Sequence, residues 1–294
     1  MKKQVLIAVG FFFLFGVAST TIALGQATKK APKGAINGLF TVSKNGDQVY
    51  FSQGNLQYIG SASKPYWKFA DHQWDCIGRA QNGDAQNIDR DLFGFATSGF
   101  QHGGTCYQPW STDYTPQNYY AYGDNYSLYH KDGTADWGAN PISNGGNKGK
   151  MWKTLSVDEW AWVLKYRTTP SGILYAKAQV NGVNGIVILP DNWSRVTHIL
   201  QNKNDAHASY SGNVISAEDW TKMEQNGAVF LPAAGRREWT AVAVLGIHGD
   251  YWTSDRLDKE HALGIHFEDS SFSFTGFMAT RHHGCSVRLV CPAK

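Results

Sequence analysis

What this 294-residue chain lacks narrows its reading first. It has no real excess of positive charge. Of 27 lysines and arginines, five (Lys2, Lys3, Lys29, Lys30 and Lys33) lie within residues 1–36, where no acidic residue occurs, which leaves 22 basic against 24 acidic side chains. A near-neutral body argues against a nucleic-acid surface, which works by neutralising phosphates. After the first apolar run no second one is long enough to span a bilayer, so membrane contact is expected only during export. No Pro/Ser-rich linker divides the chain, which points to one large domain over residues 37–294. Neither C-x-x-C nor H-E-x-x-H spacing occurs, so no metal motif is legible. Cysteine is limited to Cys76, Cys106, Cys285 and Cys291.

What is present begins with a secretory pattern. Lys2 and Lys3 precede an almost wholly apolar run over residues 5–17, and small residues surround Ala23, Gly25 and Ala27. Cleavage is expected after Gly25, with Ala27 as the second choice. Residues 26–36 read as a short polar tether. No cysteine follows the apolar run, which disfavours a lipid anchor. The exported chain is expected in the periplasm, on the cell surface or outside the cell, where disulfides are permitted. Cys76 with Cys106 is the preferred pair. Cys285 and Cys291 are too far apart along a strand to pair with each other.

Eleven tryptophans and fourteen tyrosines supply large amphipathic contact area. Asn45-Gly46-Asp47 separates two extended segments, residues 39–42 and 48–59, and predicts an opening hairpin. Residues 65–147 show no sustained period and read as long loops held by Trp67, Trp74, Phe93, Phe95, Trp110 and Trp137. Ser156-Val157-Asp158-Glu159 reads as a capping box, and Ser216-Ala217-Glu218-Asp219 repeats the arrangement; Trp160 and Trp220 follow the caps, and Gly227 is placed to end the second helix. Residues 176–180, 185–189 and 228–231 read as strands. Near the C-terminus Leu263, Ile265 and Phe267 alternate with Gly264, His266 and Glu268, the period of a strand with one face buried and one turned to solvent. The expected fold class is therefore α+β, with short strands, two short helices and long ordered loops. Trp160, Trp220, Trp252, Ile265, Phe267, Val287 and Leu289 are expected to form the scaffold.

Several segments carry a likeness: Phe51-Ser52-Gln53-Gly54-Asn55-Leu56-Gln57-Tyr58, Cys106-Tyr107-Gln108-Pro109-Trp110, Trp152-Lys153-Thr154-Leu155, Glu159-Trp160, Phe230-Leu231-Pro232-Ala233-Ala234-Gly235, Tyr251-Trp252-Thr253-Ser254 and Ser286-Val287-Arg288-Leu289-Val290. Together they resemble the C-type-lectin fold in its bacterial branch of formylglycine-generating (sulfatase-modifying-factor) domains, and within it the secreted major paralogous domain family. The resemblance implies that the N- and C-terminal strands lie side by side. Some relatives are targets of diversity-generating retroelements, which rewrite a C-terminal segment that forms a ligand-binding face. Residues 251–284 occupy that place here.

A non-catalytic recognition face for a protein or glycan is accordingly expected on Asp255, Arg256, Asp258, His261, His266, Glu268, Asp269, Phe272, Phe277, Arg281 and His282. The alternatives are a structural part of a surface assembly or an enzyme of the formylglycine-generating type. The enzyme would use Cys285 with His282 or His283 nearby. The Arg-Gly-Gly-Ser-type segment of the catalytic branch is missing, and so is a cysteine partner beside Cys285. Zinc ligands would come from His282, His283 and Cys285, with His266 or His261 across the sheet. Structural calcium is the cofactor the fold suggests. The Glu-Pro-Asn or Gln-Pro-Asp sugar motif is absent; its echo, Leu189-Pro190-Asp191-Asn192-Trp193, reads as a turn. Glycoside hydrolysis would need Glu268 with Asp269, or Asp255 with Asp258, and no motif favours either pair.

Overall fold

The opening hairpin forms where the turn chemistry puts it. The computed structural model describes residues 30–99, 128, 133–194 and 199–293. β1 (Phe40–Thr41) and β2 (Gln48–Phe51) pair antiparallel across a turn in which Gly46 takes φ +83°, a conformation that glycine adopts without strain. β3 (Leu56–Ile59) and β4 (Tyr66–Phe69) make a second hairpin. Among the described residues, the loops that follow hold two short strands, β5 (Leu92–Phe93) and β6 (Lys153–Thr154), and two 3-10 turns. Trp67, Phe93, Phe95 and Trp137 are buried in them as expected, while Trp74 is half-buried and stacks on His72 at 4.8 Å. Trp110 lies outside the described residues.

Both predicted helices are present. In α1 (Val157–Ala161) the Ser156 oxygen accepts from the Glu159 amide and the Glu159 carboxylate accepts from the Ser156 amide, so the capping box is complete. The helix widens into a π-helical turn, Trp162–Tyr166. β7 (Tyr175–Val180), β8 (Val183–Ile188) and β9 (Val214–Ile215) come next. α2 (Ala217–Gln225) starts at Ser216, and after it Gly227 at φ +90° lets the amides of Gly227 and Ala228 close back on Glu224 and Met223. The chain finishes through β10 (Val229–Pro232), β11 (Arg236–Glu238), β12 (Ala241–Ala243), β13 (Gly249–Arg256), β14 (His261–Glu268), β15 (Ser271–Thr280), β16 (Cys285–Ser286) and β17 (Leu289–Pro292).

These elements make a mixed α+β structure, mostly strands in open sheets with two short helices. One four-stranded sheet has the order β1-β2-β17-β6 and a second β10-β8-β7-β9; β15-β14-β13-β16-β5 form a five-stranded sheet. β17 lies antiparallel to β2, with Val290 opposite Phe51, so the strands near the two ends of the described chain are neighbours. Residues from Ala31 onward form one compact unit.

The five-stranded sheet has apolar packing on both sides. Tyr251, Ile265, Phe267 and Phe272 join Phe51 and Trp160 in one cluster, whereas Trp252, Ala262 and Ala279 join Phe93, Trp137 and Val287 in another. Every residue expected to form the scaffold is buried, and truncating one of the large aromatics among them to alanine should cost about 3–5 kcal/mol. Backbones also approach closely. A Cβ on Gly249 would stand 2.0 Å from the Phe267 ring, so only glycine fits opposite that side chain.

Polar groups lock β13 in place. The Tyr251 hydroxyl donates to the Pro232 carbonyl at 2.9 Å and accepts from Asn55 at 3.0 Å. Buried Arg288 donates to Asn55 and to Gln73, and Gln73 in turn accepts from the Phe230 amide. Asn55, Gln73 and Arg288 thus tie the first hairpins, the last strands and the segment after α2 into one network. Asp191, in the expected turn, accepts from Thr41, Gln48 and Arg167.

Cys76, Cys285 and Cys291 are free thiols. The expected partner of Cys76, Cys106, lies outside the described residues. Among the described residues no helix is long and apolar enough to cross a membrane.

Candidate functional site

Residues 251–284 contain β14 and β15, a ribbon that runs outward from the buried β13. Alternation along β14 follows expectation at Ile265 and Phe267, both fully buried; Leu263, near an irregularity in the β13–β14 ladder, is half-buried. The other face is not the open surface the alternation suggests. Gly264 is buried because a Cβ there would meet the Tyr251 carbonyl and the Phe277 ring. His266 is held by the Asp250 carboxylate at 2.6 Å on one side and stacks on Phe277 at 5.1 Å on the other.

The eleven expected recognition residues divide into separate groups. Asp258, His261, Arg281 and His282 gather at the β13–β14 end of the ribbon. There Asp258 accepts from the amides of Glu260 and His261 and from the His261 ring at 2.9 Å. Small burial aside, these bonds hold its carboxyl below the usual range. Burial and nearby His261 push His282 down from its ordinary value. Glu268 and Asp269 lie at the opposite end, about 23 Å away for seven residues at about 3.3 Å each. Asp269 accepts from the Tyr210 amide and the Ser209 hydroxyl, which keeps it ionised and fastens the turn to a neighbouring loop.

Asp255 and Arg256 sit on the final residues of β13, half-buried. The Asp255 carboxylate accepts from the Val157 amide at 2.7 Å, so it supports the start of α1; burial raises its pKa, against the effect of that bond. Two residues expected on the surface belong to the frame. Phe272 is 9% exposed and packs edge-on against Tyr175 and Phe267. Arg281 is 2% exposed, with its guanidinium over the Phe95 ring and a hydrogen bond to the Asp258 carbonyl. Each is buried because the chain folds back to bring β15 onto the core, which the local alternation cannot foresee.

Sequence reasoning missed two residues that the fold adds. His248 and Asp250 precede Trp252 at strand spacing and continue its face of the sheet, a period-two signal that was legible once β13 was extended backwards. His248 Nε2 lies 3.0 Å from Glu268, and the two imidazoles of His248 and His266 meet edge-to-face at 4.9 Å. Asp250 is fully buried and its second oxygen accepts from Arg236 at 3.3 Å. One donor atom from each of His248, Asp250 and His266 lies within 4.8 Å of the others.

The expected set of His282, His283 and Cys285 does not form such a group among the described residues. His282 and His283 rest against each other at 4.8 Å, and burial together with His282 pushes His283 down to about 4. Cys285 is fully buried, and burial reinforced by Asp250 drives its thiol well above the usual range. That is the wrong direction for a thiolate nucleophile. Cys76 is raised in the same way, by burial and then by Asp91 and Asp75; it lines a cleft of about 400 Å³ with Trp74, Asn184 and Leu245.

Lysine is rarely buried without a partner, and Lys177 of β7 shows how this chain manages it. Its ammonium donates to the carbonyls of Ala206, Glu268 and Ser271 at 2.8, 2.6 and 3.0 Å. Burial still depresses its pKa to about 8. The side chain clamps the β14–β15 turn onto the β10-β8-β7-β9 sheet.

No family model matches this chain, and no curated protein or solved structure matches it either.

Proposed function

We propose that this chain is an exported binding protein of C-type-lectin-like fold, in which residues 251–284 present a recognition face to a protein or glycan. The observation that carries the reading is the contrast within the C-terminal sheet: a ribbon clamped at its turn and packed along its length nonetheless exposes Met278 (56%) and Leu257 (48%), with Trp239 (62%) and Ile247 (54%) nearby in sequence. Exposed apolar side chains on a rigid element, rimmed by His261, Asp258 and Glu268, suit an interface core with a polar rim. The adjacent β2 and β17 strands and the two capped helices support the lectin-like reading of the fold. Phe272 and Arg281 drop out of the recognition set because they are buried, and Asp255 and Asp269 because they brace neighbouring segments; the set then rests on Arg256, Asp258, His261, His266, Glu268, Phe277 and His282 with Leu257 and Met278 added.

Binding is tested on a glycan array and on purified envelope proteins, with a Leu257→Ser, Phe277→Ser, Met278→Ser triple variant beside the wild type. The expected result is a ligand retained by the wild type and lost at least tenfold by the folded variant. Equal binding by both would discard this face. Diversification has its own test. Closely related strains should differ mainly within residues 255–283, at codons that match adenines in a nearby repeat, whereas uniform sequences would favour an undiversified binder or assembly component. Export is checked by sequencing the mature N-terminus, expected just after Gly25.

A further inference from the structure

We infer that His248, Asp250 and His266 form a binding site for one divalent metal ion of the zinc class, with Glu268 as a supporting carboxylate. The donor set is the first reason. Two imidazoles with carboxylate oxygen match the preferences of zinc, whereas calcium takes six to eight oxygen donors. Proximity is the second. The three donor atoms lie within 4.8 Å of one another, and ligands of a tetrahedral zinc stand roughly 3.4 Å apart. The widest pair has to close by roughly 1.5 Å, a movement open to two imidazoles that keep side-chain exposures of 22% and 17%.

The third reason is how each ring is held. Metal-ligating histidines characteristically anchor one nitrogen on a carboxylate, which sets the tautomer and directs the other nitrogen at the ion. His248 anchors Nε2 on Glu268 in this way, whereas His266 Nδ1 points at Asp250, and the ion would take the place of the proton those two groups share. The remaining nitrogen of His248, Nδ1, is buried without a hydrogen-bond partner among the described residues. An orphaned buried acceptor or donor is costly, and a bound cation would satisfy it. Arg236, on the second oxygen of Asp250, orients that carboxylate from behind. A shift of register between β14 and β15, between Gly264 and His266, sets the pitch of His266 over Phe277. The site does not depend on the recognition reading, and its tests need no other ligand.

The full mature chain, stripped with EDTA, is titrated with zinc chloride by calorimetry and its metal content measured after dialysis. One zinc per chain is expected, with excess calcium failing to displace it. His248→Gln and His266→Gln should each weaken zinc at least tenfold, and Glu268→Gln by tenfold or more. Because these side chains are partly exposed, the variants should keep the wild-type circular dichroism. Zinc should raise the Tm of the wild type by several degrees and leave that of the His248→Gln/His266→Gln double variant unmoved. His72→Gln and Cys76→Ser, at a histidine and a cysteine outside the cluster, should still bind one zinc. The inference is overturned by an absence of stoichiometric zinc in the wild type, by wild-type affinity in the folded double variant, or by loss of zinc in Cys76→Ser.

Discussion

β13 and β15 belong to the same sheet yet are built on opposite terms. Along β13 six successive residues from Gly249 to Ser254 are buried, and three of them are tied by side-chain hydrogen bonds: Tyr251 to Asn55 and Pro232, Trp252 to the Phe93 carbonyl, Thr253 to the Leu263 carbonyl. β15 is an edge strand whose residues Thr275, Gly276 and Met278 are exposed. The difference teaches that alternation is a property of a strand's neighbours as much as of the strand. A central strand packed on both faces reads as nearly continuous burial. Its edge partner keeps freedom only where nothing folds back over it.

The comparison breaks most sharply at Phe267, which faces Tyr251 at a ring separation of 6.0 Å. Phe267→Asp would bury an unpaired charge in the core, and we expect no cooperative folding by circular dichroism in any buffer near neutrality. Arg288→Ala should come next. It strips hydrogen bonds from Asn55 and Gln73 and should cost about 3 kcal/mol in urea unfolding; a loss under about 1 kcal/mol would mean that the buried network does not secure β13.

Lys177→Met should cost about 2 kcal/mol, because several turn carbonyls lose a charged donor, and amide exchange at Asp269 and Ser270 should accelerate. Its pH dependence has a fixed sign. The folded-state pKa of Lys177 is about 8, below the 10.5 of the unfolded chain, so the unfolded state binds more protons between those values. The burial penalty is fully present below pH 8 and is relieved as pH rises towards 10.5, and wild type should gain stability relative to Lys177→Met across that window. A pH-independent difference would place the ammonium in water. Smallest of all, His261→Gln and Met278→Ser should shift stability by no more than about 0.5 kcal/mol. A larger loss at either position would erase the distinction between frame and ribbon.

Much of the frame was legible because its signals are local. Ser156 and Glu159 satisfy each other's backbone amides wherever that segment lies, and a glycine at position 46 turns a hairpin whatever packs on it. The residues proposed for recognition were legible only by chain position. Asp258 and His261 meet because they are close in sequence, and were placed on the surface correctly. Phe272 and Arg281 were placed there too, but Tyr175 and Phe95, distant in sequence, cover them. The histidine–carboxylate cluster escaped for the same reason: His248 and Asp250 lie on one strand, His266 and Glu268 on the next, and the pairing of Asp250 with His266 is what joins them.

The amino-acid sequence alone determined the hairpin turn, the two capped helices and the apolar side of β14, since backbone geometry and nearest-neighbour hydrogen bonds settle those within a few residues. Tertiary structure decided which polar side chains face water, which clamp a turn and which converge on Asp250. Those outcomes depend on strand register and on the packing of segments far apart along the chain, where a displacement of one residue carries a side chain to the other face of the sheet.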